Sequence, residues 1–337
     1  MNKTTKFQIM LAGLAAFALH GGSVAVAANG HVQAGVALQV SQIPAQVVTD
    51  LQREVALARS SASAMFDVVA NVKGCTAEGT LRNRANRPEC TRELRALGAP
   101  ALIPMLQALA LESLGRAYAT ETEKLAYARG LIEASMVLRD PRSRGVMTAI
   151  FTHATDSGLQ ILSAEALGRL AGDGDVKLLA QHLDANDPLR IAAIKGLAWA
   201  VRVDSTQILA DLLLTNARSA APSLQQTEII AQALGATSSS WGWQARVGAA
   251  KHASNARAEE VAGVGRQVQT IAMKALVAAY AISPAKARAH LERALMLAEH
   301  PETAAALQAL RGSVNADAQA ALDKFAAHFA KFANTVR

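Results

Sequence analysis

The chain has 337 residues; hydrophobic residues make up 51% of it, aromatic residues only 4%, and the formal net charge is +7. Alanine and leucine, which lose little conformational freedom in a helix, dominate the apolar residues, so we expect an all-α protein with essentially no sheet. The charge is too small to indicate a nucleic-acid-binding protein, although it favours acidic surfaces as partners.

The first 27 residues have the organisation of a secretory signal peptide. Lys3 and Lys6 precede an apolar run that is too short to span a bilayer, and Ala25-Val26-Ala27 fits the small-residue pattern of a cleavage site. Cleavage near Ala27 removes two lysines and no acid, so the net charge falls to +5. We expect an exported protein, periplasmic or secreted, with no transmembrane segment in the mature chain.

Residues 28–90 are predicted to form a helix over 44–72 and then a loop closed by a disulfide. Cys75 and Cys90 are the only two cysteines of the chain and lie 15 positions apart. In an oxidising compartment such an isolated pair favours a disulfide. The alternatives are a metal pair, which would need further ligands nearby, and a redox pair, which usually has the spacing C-x-x-C.

Arginines are concentrated in and after the segment between the two cysteines. Arg82, Arg84 and Arg87 lie within it, and Arg92 and Arg95 follow it. A guanidinium suits bidentate binding of carboxylates or phosphates, which makes this segment a candidate anion-binding loop. The alternative interpretation is a solvated loop without a ligand.

The middle of the chain contains an internal repeat. Residues 161–183 align with residues 191–213 at an offset of 30 residues, and each unit divides into two helical halves joined by a polar turn. The matched pairs are Ile161 with Ile191, Leu167 with Leu197, Leu178 with Ile208, Leu179 with Leu209 and Leu183 with Leu213. This repetition predicts stacked helix pairs.

Aspartates recur at the predicted starts of these helices. They are Asp140, Asp156, Asp173 or Asp175, Asp187 and Asp204. A carboxylate there accepts hydrogen bonds from unpaired backbone N–H groups and faces the positive end of the helix dipole, so we interpret these residues as helix caps. The alternative, a calcium loop, needs acids at regular alternate positions, and Lys177 stands where a third ligand would be required.

This pattern resembles the HEAT-repeat family, in particular the short variety called PBS-lyase-type HEAT repeats. The residues that carry the resemblance are Ala166-Leu167-Gly168, Gly172-Asp173, Asp187-Pro188 and Arg190, with weaker echoes in residues 94–109, 137–151 and 229–240. The resemblance covers residues 91–240 and implies an α-solenoid of antiparallel helix pairs. It also implies protein binding rather than catalysis.

Residues 241–337 are predicted to form a helical cap, because a terminal repeat cannot leave its apolar face in water. In the last helix, Leu322, Phe325, Phe329, Phe332 and Val336 share one face. We expect this helix to fold back onto the preceding helices. The alternative is a docking helix for a membrane surface or for the groove of a partner.

Two of the three tryptophans, Trp241 and Trp243, flank a glycine where the repeats end. One interpretation is a pair of aromatic side chains displayed for a peptide or a sugar. The other is that both fill the irregular junction between the repeats and the C-terminal cap.

The mature chain contains no common nucleophile or zinc-protease motif, and the sequence predicts no catalytic residue, cofactor or metal site. We therefore expect a non-catalytic, exported scaffold that binds another envelope or secreted protein, with the second helix of each pair lining the docking surface. The alternative is an enzyme or small-molecule-binding protein with a pocket between the solenoid and the C-terminal helices.

Overall fold

The structure is a computed structural model that describes residues 37, 42–75, 89–111, 120–184, 187–312, 314, 316, 319–320 and 322–327. These residues form fourteen α-helices and no β-strand, which confirms the predicted all-α fold. The chain divides into two compact units, residues 1–159 and 160–337. The predicted signal peptide, residues 1–27, lies outside the described residues.

The first unit contains helices α1 to α5 and the first turn of α6. The helices are α1 Ala45–Ala70, α2 Glu89–Ala96, α3 Leu102–Ala110, α4 Glu121–Leu138, α5 Arg144–His153 and α6 Ser157–Leu170, with 3-10 turns at Lys73–Cys75, Ala99–Ala101 and Pro141–Ser143. Helix α1 matches the predicted N-terminal helix, and it is kinked at Ala62. It packs against α3, while α2 and α3 pack against α4 around the fully buried Leu94, Leu106 and Leu131.

The two cysteines lie at disulfide distance, with Cα atoms 4.4 Å apart, and both are fully buried. The pair packs on Gly130 of α4, where a Cβ would come 2.6 Å from the Cys90 sulfur. The adjacent turn is tied down as well, because the Gly74 N–H donates to Glu93 Oε2 at 3.1 Å. This covalent link therefore joins the end of the α1 segment to α2 above α4.

The second unit contains the remainder of α6 and helices α7 to α14. These are α7 Asp173–Gln181, α8 Asp187–Ala200, α9 Val203–Arg218, α10 Leu224–Ser238, α11 Ser240–Lys251, α12 Asn255–Ile282, α13 Ala285–Ala298 and α14 Thr303–Ala309. Helix α8 packs against α10 and α10 against α13, while α9 packs against α12. Contacts of α8 with α9 and of α10 with α12 join these two rows of helices.

The 30-residue repeat found in the sequence is a repeat of helices. Helices α6 and α8 begin 30 residues apart, and so do α7 and α9. The turn within each pair is also the same, since Ala171 and Val201 both have left-handed backbone conformations, with φ values of 53° and 52°. Neither residue is a glycine, so each position bears a cost that the surrounding packing must offset.

The N-termini of α7 and α9 are closed in the same way. The Asp175 carboxylate accepts from the Gly172 N–H at 2.9 Å, and thirty residues later the Ser205 hydroxyl accepts from the Arg202 N–H at 3.2 Å. In each helix the third residue therefore satisfies the backbone N–H group of the residue that precedes the helix.

The prediction that an aspartate caps each helix is correct at two of the positions. Asp140 accepts from the Arg142 N–H at 2.9 Å, and Asp156 accepts from the Leu159 N–H at 2.8 Å. Asp173 and Asp204 instead lie inside the first turns of α7 and α9, where their charges face the helix dipole and pair with Arg202. The side chain of Asp187 lies outside the described residues.

The C-terminal residues that are described contact helix α12. Residues 322–327 are helical, Leu322 and Phe325 are buried, and the Phe325 ring stacks on Tyr280 with centroids 6.0 Å apart. This contact agrees with the predicted folding back of the last helix as far as residue 327. Phe329, Phe332 and Val336 lie outside the described residues.

Candidate functional site

A groove between α8 and α10 combines an apolar wall with a charged side chain. We define the α8–α10 groove by the residues that line two adjoining depressions, of about 140 and 290 Å³. The first is lined by Arg190, Ile191, Ile194, Ser223, Gln225, Gln226 and Ile229, and the second by Arg190, Leu212, Thr215, Asn216, Ser219, Ala221, Ser223 and Gln226. Arg190, Ser223 and Gln226 are common to both.

Helical spacing brings the apolar wall together. Ile191 and Ile194 are three residues apart on α8, and Ile229 lies one turn beyond Gln225 on α10, so each helix turns these residues toward the same cleft. Ile194 is buried, whereas Ile191 and Ile229 are half-buried and keep part of their surface in water. The wall therefore offers aliphatic surface that the fold itself does not cover.

Asn216 fixes the loop that closes the second depression. Its amide donates to the Ser223 carbonyl at 3.1 Å and to the Thr227 hydroxyl at 2.8 Å, and its carbonyl oxygen accepts from the Ser223 N–H at 3.1 Å. Ser223 in turn caps α10 through a hydrogen bond from the Gln226 N–H at 3.3 Å. The end of α9 and the start of α10 are thus held in one geometry.

Arg190 differs from Arg202, which helps to hold the turn of the repeat. Arg202 pairs with Asp204 at 3.0 Å and donates to the Ala171 carbonyl at 2.9 Å. The hydrogen-bonded pairing with Asp204 raises the pKa of Arg202 and lowers the pKa of Asp204. The Nε of Arg190, by contrast, is buried with no hydrogen-bond partner among the described residues. In the described part of the chain, Arg190 is also the one charged side chain that lines either depression.

The two tryptophans occupy different environments. Trp243 is buried, its indole N–H donates to the Thr237 carbonyl at 3.0 Å, and its ring lies against Gly265 of α12. Trp241 is half-buried. The surroundings of Trp243 agree with the interpretation that it fills a junction between helices, and its ring is not displayed to solvent.

Arg82, Arg84 and Arg87 lie outside the described residues, so the candidate anion-binding loop stays a prediction. Over the described ranges, no three histidine, cysteine, aspartate or glutamate side chains are grouped so that they could hold a metal ion. None of the described helices has both the length and the apolar character that crossing a membrane requires.

Comparison with known proteins adds no relationship: no family model matches the chain, and no curated protein matches it. The resemblance to HEAT repeats therefore rests on the residues and on the repeated helix pairs.

The sequence pointed to Arg190 only as part of the repeat pattern, and it did not single out Gln226 or Ile229. A signal was available in the alignment of the two units, because Gln160 of the first unit stands where the second unit has Arg190. The alignment does not reveal that α8 packs against α10, because this contact depends on how successive helix pairs pack on each other.

Proposed function

We propose that this protein is an exported scaffold of the HEAT-repeat type, which binds another protein through the surface of an α-solenoid and performs no covalent chemistry. Its helix pairs would stack side by side, with the helices after residue 240 closing the C-terminal end. The partner would be an envelope or secreted protein.

The repeated geometry of the helix pairs supports the solenoid. The two units share a 30-residue spacing, a left-handed residue after the first helix and the same hydrogen bond at the start of the second helix. Units with the same geometry can stack with the same rotation and translation from one unit to the next. The contacts of α8 with α10, of α10 with α13 and of α9 with α12 are further observations that support stacking. Such stacks present extended surfaces, and extended surfaces suit protein partners.

The dimensions of the α8–α10 groove carry the functional proposal. Its two adjoining depressions, of about 140 and 290 Å³, together reach only the lower part of the range of typical ligand pockets, which run from roughly 300 to 1,000 Å³. A shallow groove with an apolar wall and polar ends suits a protruding segment of a protein better than an enclosed small molecule. The first helices α8 and α10 line the groove together with the C-terminal end of the second helix α9, whereas we expected the second helices alone to line the docking surface.

The cysteine pair supports export. Two buried cysteines at disulfide distance are characteristic of proteins that mature in an oxidising compartment, and they agree with the signal peptide predicted for residues 1–27.

Affinity capture tests the proposed function. The exported protein, immobilised through a tag, is incubated with an envelope extract of its own cells, and retained proteins are quantified against the same resin carrying an unrelated all-α protein. We expect one protein to be retained in stoichiometric amount. Retention of no protein, together with thermal stabilisation by the dialysable part of the extract, would replace the scaffold by a small-molecule-binding protein.

A further inference from the structure

We propose that the α8–α10 groove binds an acidic segment of the partner protein, with the Arg190 guanidinium paired to a carboxylate and the isoleucine wall receiving a neighbouring aliphatic side chain. This inference rests on the proposed function and specifies the chemistry of its partner.

Among the residues that the structure describes, the α8–α10 groove is lined by one positive side chain and by no negative one. Arg190 lines both depressions, no aspartate or glutamate lines either one, and the Arg190 Nε has no acceptor among the described residues. A buried guanidinium N–H without an acceptor is costly, and a carboxylate can accept from such a group in a bidentate pair. The net positive charge of the chain also attracts acidic segments.

The apolar wall defines what must lie beside that carboxylate. Ile191, Ile194 and Ile229 border the same depression as Arg190, so a ligand that reaches the guanidinium also covers aliphatic surface. A free inorganic anion would leave this surface in water. An aspartate or glutamate next to a leucine, isoleucine or valine satisfies both features at once.

The groove is also prepared for binding. Asn216 holds the loop before α10 through three hydrogen bonds, and Ser223 caps that helix, so little of the wall needs to be ordered when a segment binds. The positive end of the α10 dipole points toward the same region and adds to the attraction for a carboxylate.

Selection of short random peptides displayed on phage tests the proposal. The exported protein is immobilised, and retained peptides are sequenced and synthesised for affinity measurement. We expect the retained peptides to share an acidic residue next to an aliphatic one. We expect Arg190→Gln to weaken their binding at least about tenfold and Arg190→Lys to weaken it less, because lysine keeps the charge but loses the planar fork.

The matched control is Arg293→Gln, which removes the same charge from an exposed position on α13 in the same unit. It should leave peptide affinity within about twofold of wild type, because a surface charge outside the groove contributes little. Thermal melting of each variant shows that the fold is retained. Equal loss of affinity in both variants would show a general charge effect and overturn the proposal.

Two further outcomes would overturn it: no enrichment of acidic peptides, or undiminished binding of the enriched peptides to Arg190→Gln. A partner captured from the extract that binds Arg190→Gln as tightly as wild type would contradict this inference and leave the proposed function standing.

Discussion

Gly196 of α8 lies directly against Ala164 of α6: a Cβ on Gly196 would come 2.6 Å from the Ala164 carbonyl oxygen. The same crossing brings the backbone of Gly168 onto that of Gly196. Successive first helices of the repeat are therefore in backbone contact, and glycine is the residue that permits this approach.

Gly196→Ala should force these helices apart. We expect the free energy of unfolding to fall by about 1–3 kcal/mol, which is the usual cost of overpacking a tight contact. Urea unfolding measures the change. Gly248→Ala on α11 is the matched control, because a Cβ there meets nothing within 4 Å. It should stabilise the protein by up to about 1 kcal/mol through helix propensity. A Gly196→Ala variant as stable as wild type would show that the contact is not tight in solution.

The proposed export predicts that the Cys75–Cys90 pair is oxidised in the mature protein. Thiol titration of the unreduced, denatured protein is expected to find no free thiol, and reduction should lower the free energy of unfolding by about 3 kcal/mol for a loop of this size. Two free thiols in the exported protein would refute the disulfide.

Asp204 should make stability depend on pH. The hydrogen bonds from Arg202 lower its pKa in the folded state, so its contribution is fully present above the unfolded pKa of about 3.9 and is lost as pH falls through the folded value. Since Asp204 is about half exposed, Asp204→Asn should cost only about 0.2–1 kcal/mol at pH 7. Urea midpoints of the two proteins should converge below about pH 4. A difference that persists undiminished at lower pH would assign the effect to something other than this charge.

Asp156 should act as a helix cap and not as a metal ligand. Asp156→Ala removes the acceptor for the Leu159 N–H and should lower the free energy of unfolding by about 0.5–2 kcal/mol. Asp211→Ala, which removes an exposed carboxylate from the middle of α9, is the control and should change the free energy by less than about 0.5 kcal/mol. Calcium should leave the melting temperature unchanged, and a rise that Asp156→Ala abolishes would restore the metal interpretation.

The last helix should contribute to the stability of the second unit. Phe325→Ala removes a buried ring that stacks on Tyr280, and we expect the free energy of unfolding to fall by up to about 3 kcal/mol.

Deletion of residues 315–337 should also expose apolar surface that binds a fluorescent dye. If the truncated protein melts like the full-length one and loses only a binding activity, the helix is a docking element.

Much of this fold could be predicted from the sequence, because the helix pairs repeat the same apolar spacing and the same polar turn residues. The alignment of Leu167 with Leu197 shows the 30-residue spacing directly. The caps at Asp140 and Asp156 could be predicted because each aspartate immediately precedes a helical segment. The sequence predicts Asp204 as the cap of α9, but α9 begins at Val203 and Asp204 lies in its first turn. The helix starts earlier than predicted because Val201 has a left-handed backbone conformation and Arg202 an extended one. No local signal identifies a non-glycine residue that adopts a left-handed conformation.

The candidate site was much harder to predict. Arg190 and Ile229 are 39 positions apart, and they line one groove only because α8 packs against α10. The lack of a hydrogen-bond acceptor for Arg190 Nε among the described residues is likewise a property of the packed helices. The sequence predicts Trp241 and Trp243 as candidate binding residues because tryptophan is rare in this chain. Trp243 is buried against α12, and the sequence does not predict the position of that helix.

Sedimentation velocity of the fluorescently labelled protein in fractions of an envelope extract tests the central claim most directly. The scaffold account predicts a faster-sedimenting boundary in the fraction that contains proteins and no change in the dialysable fraction, with the shift reduced in Arg190→Gln and kept in Arg293→Gln. An unshifted boundary in the protein fraction, accompanied by a higher melting temperature in the dialysable fraction, would contradict it.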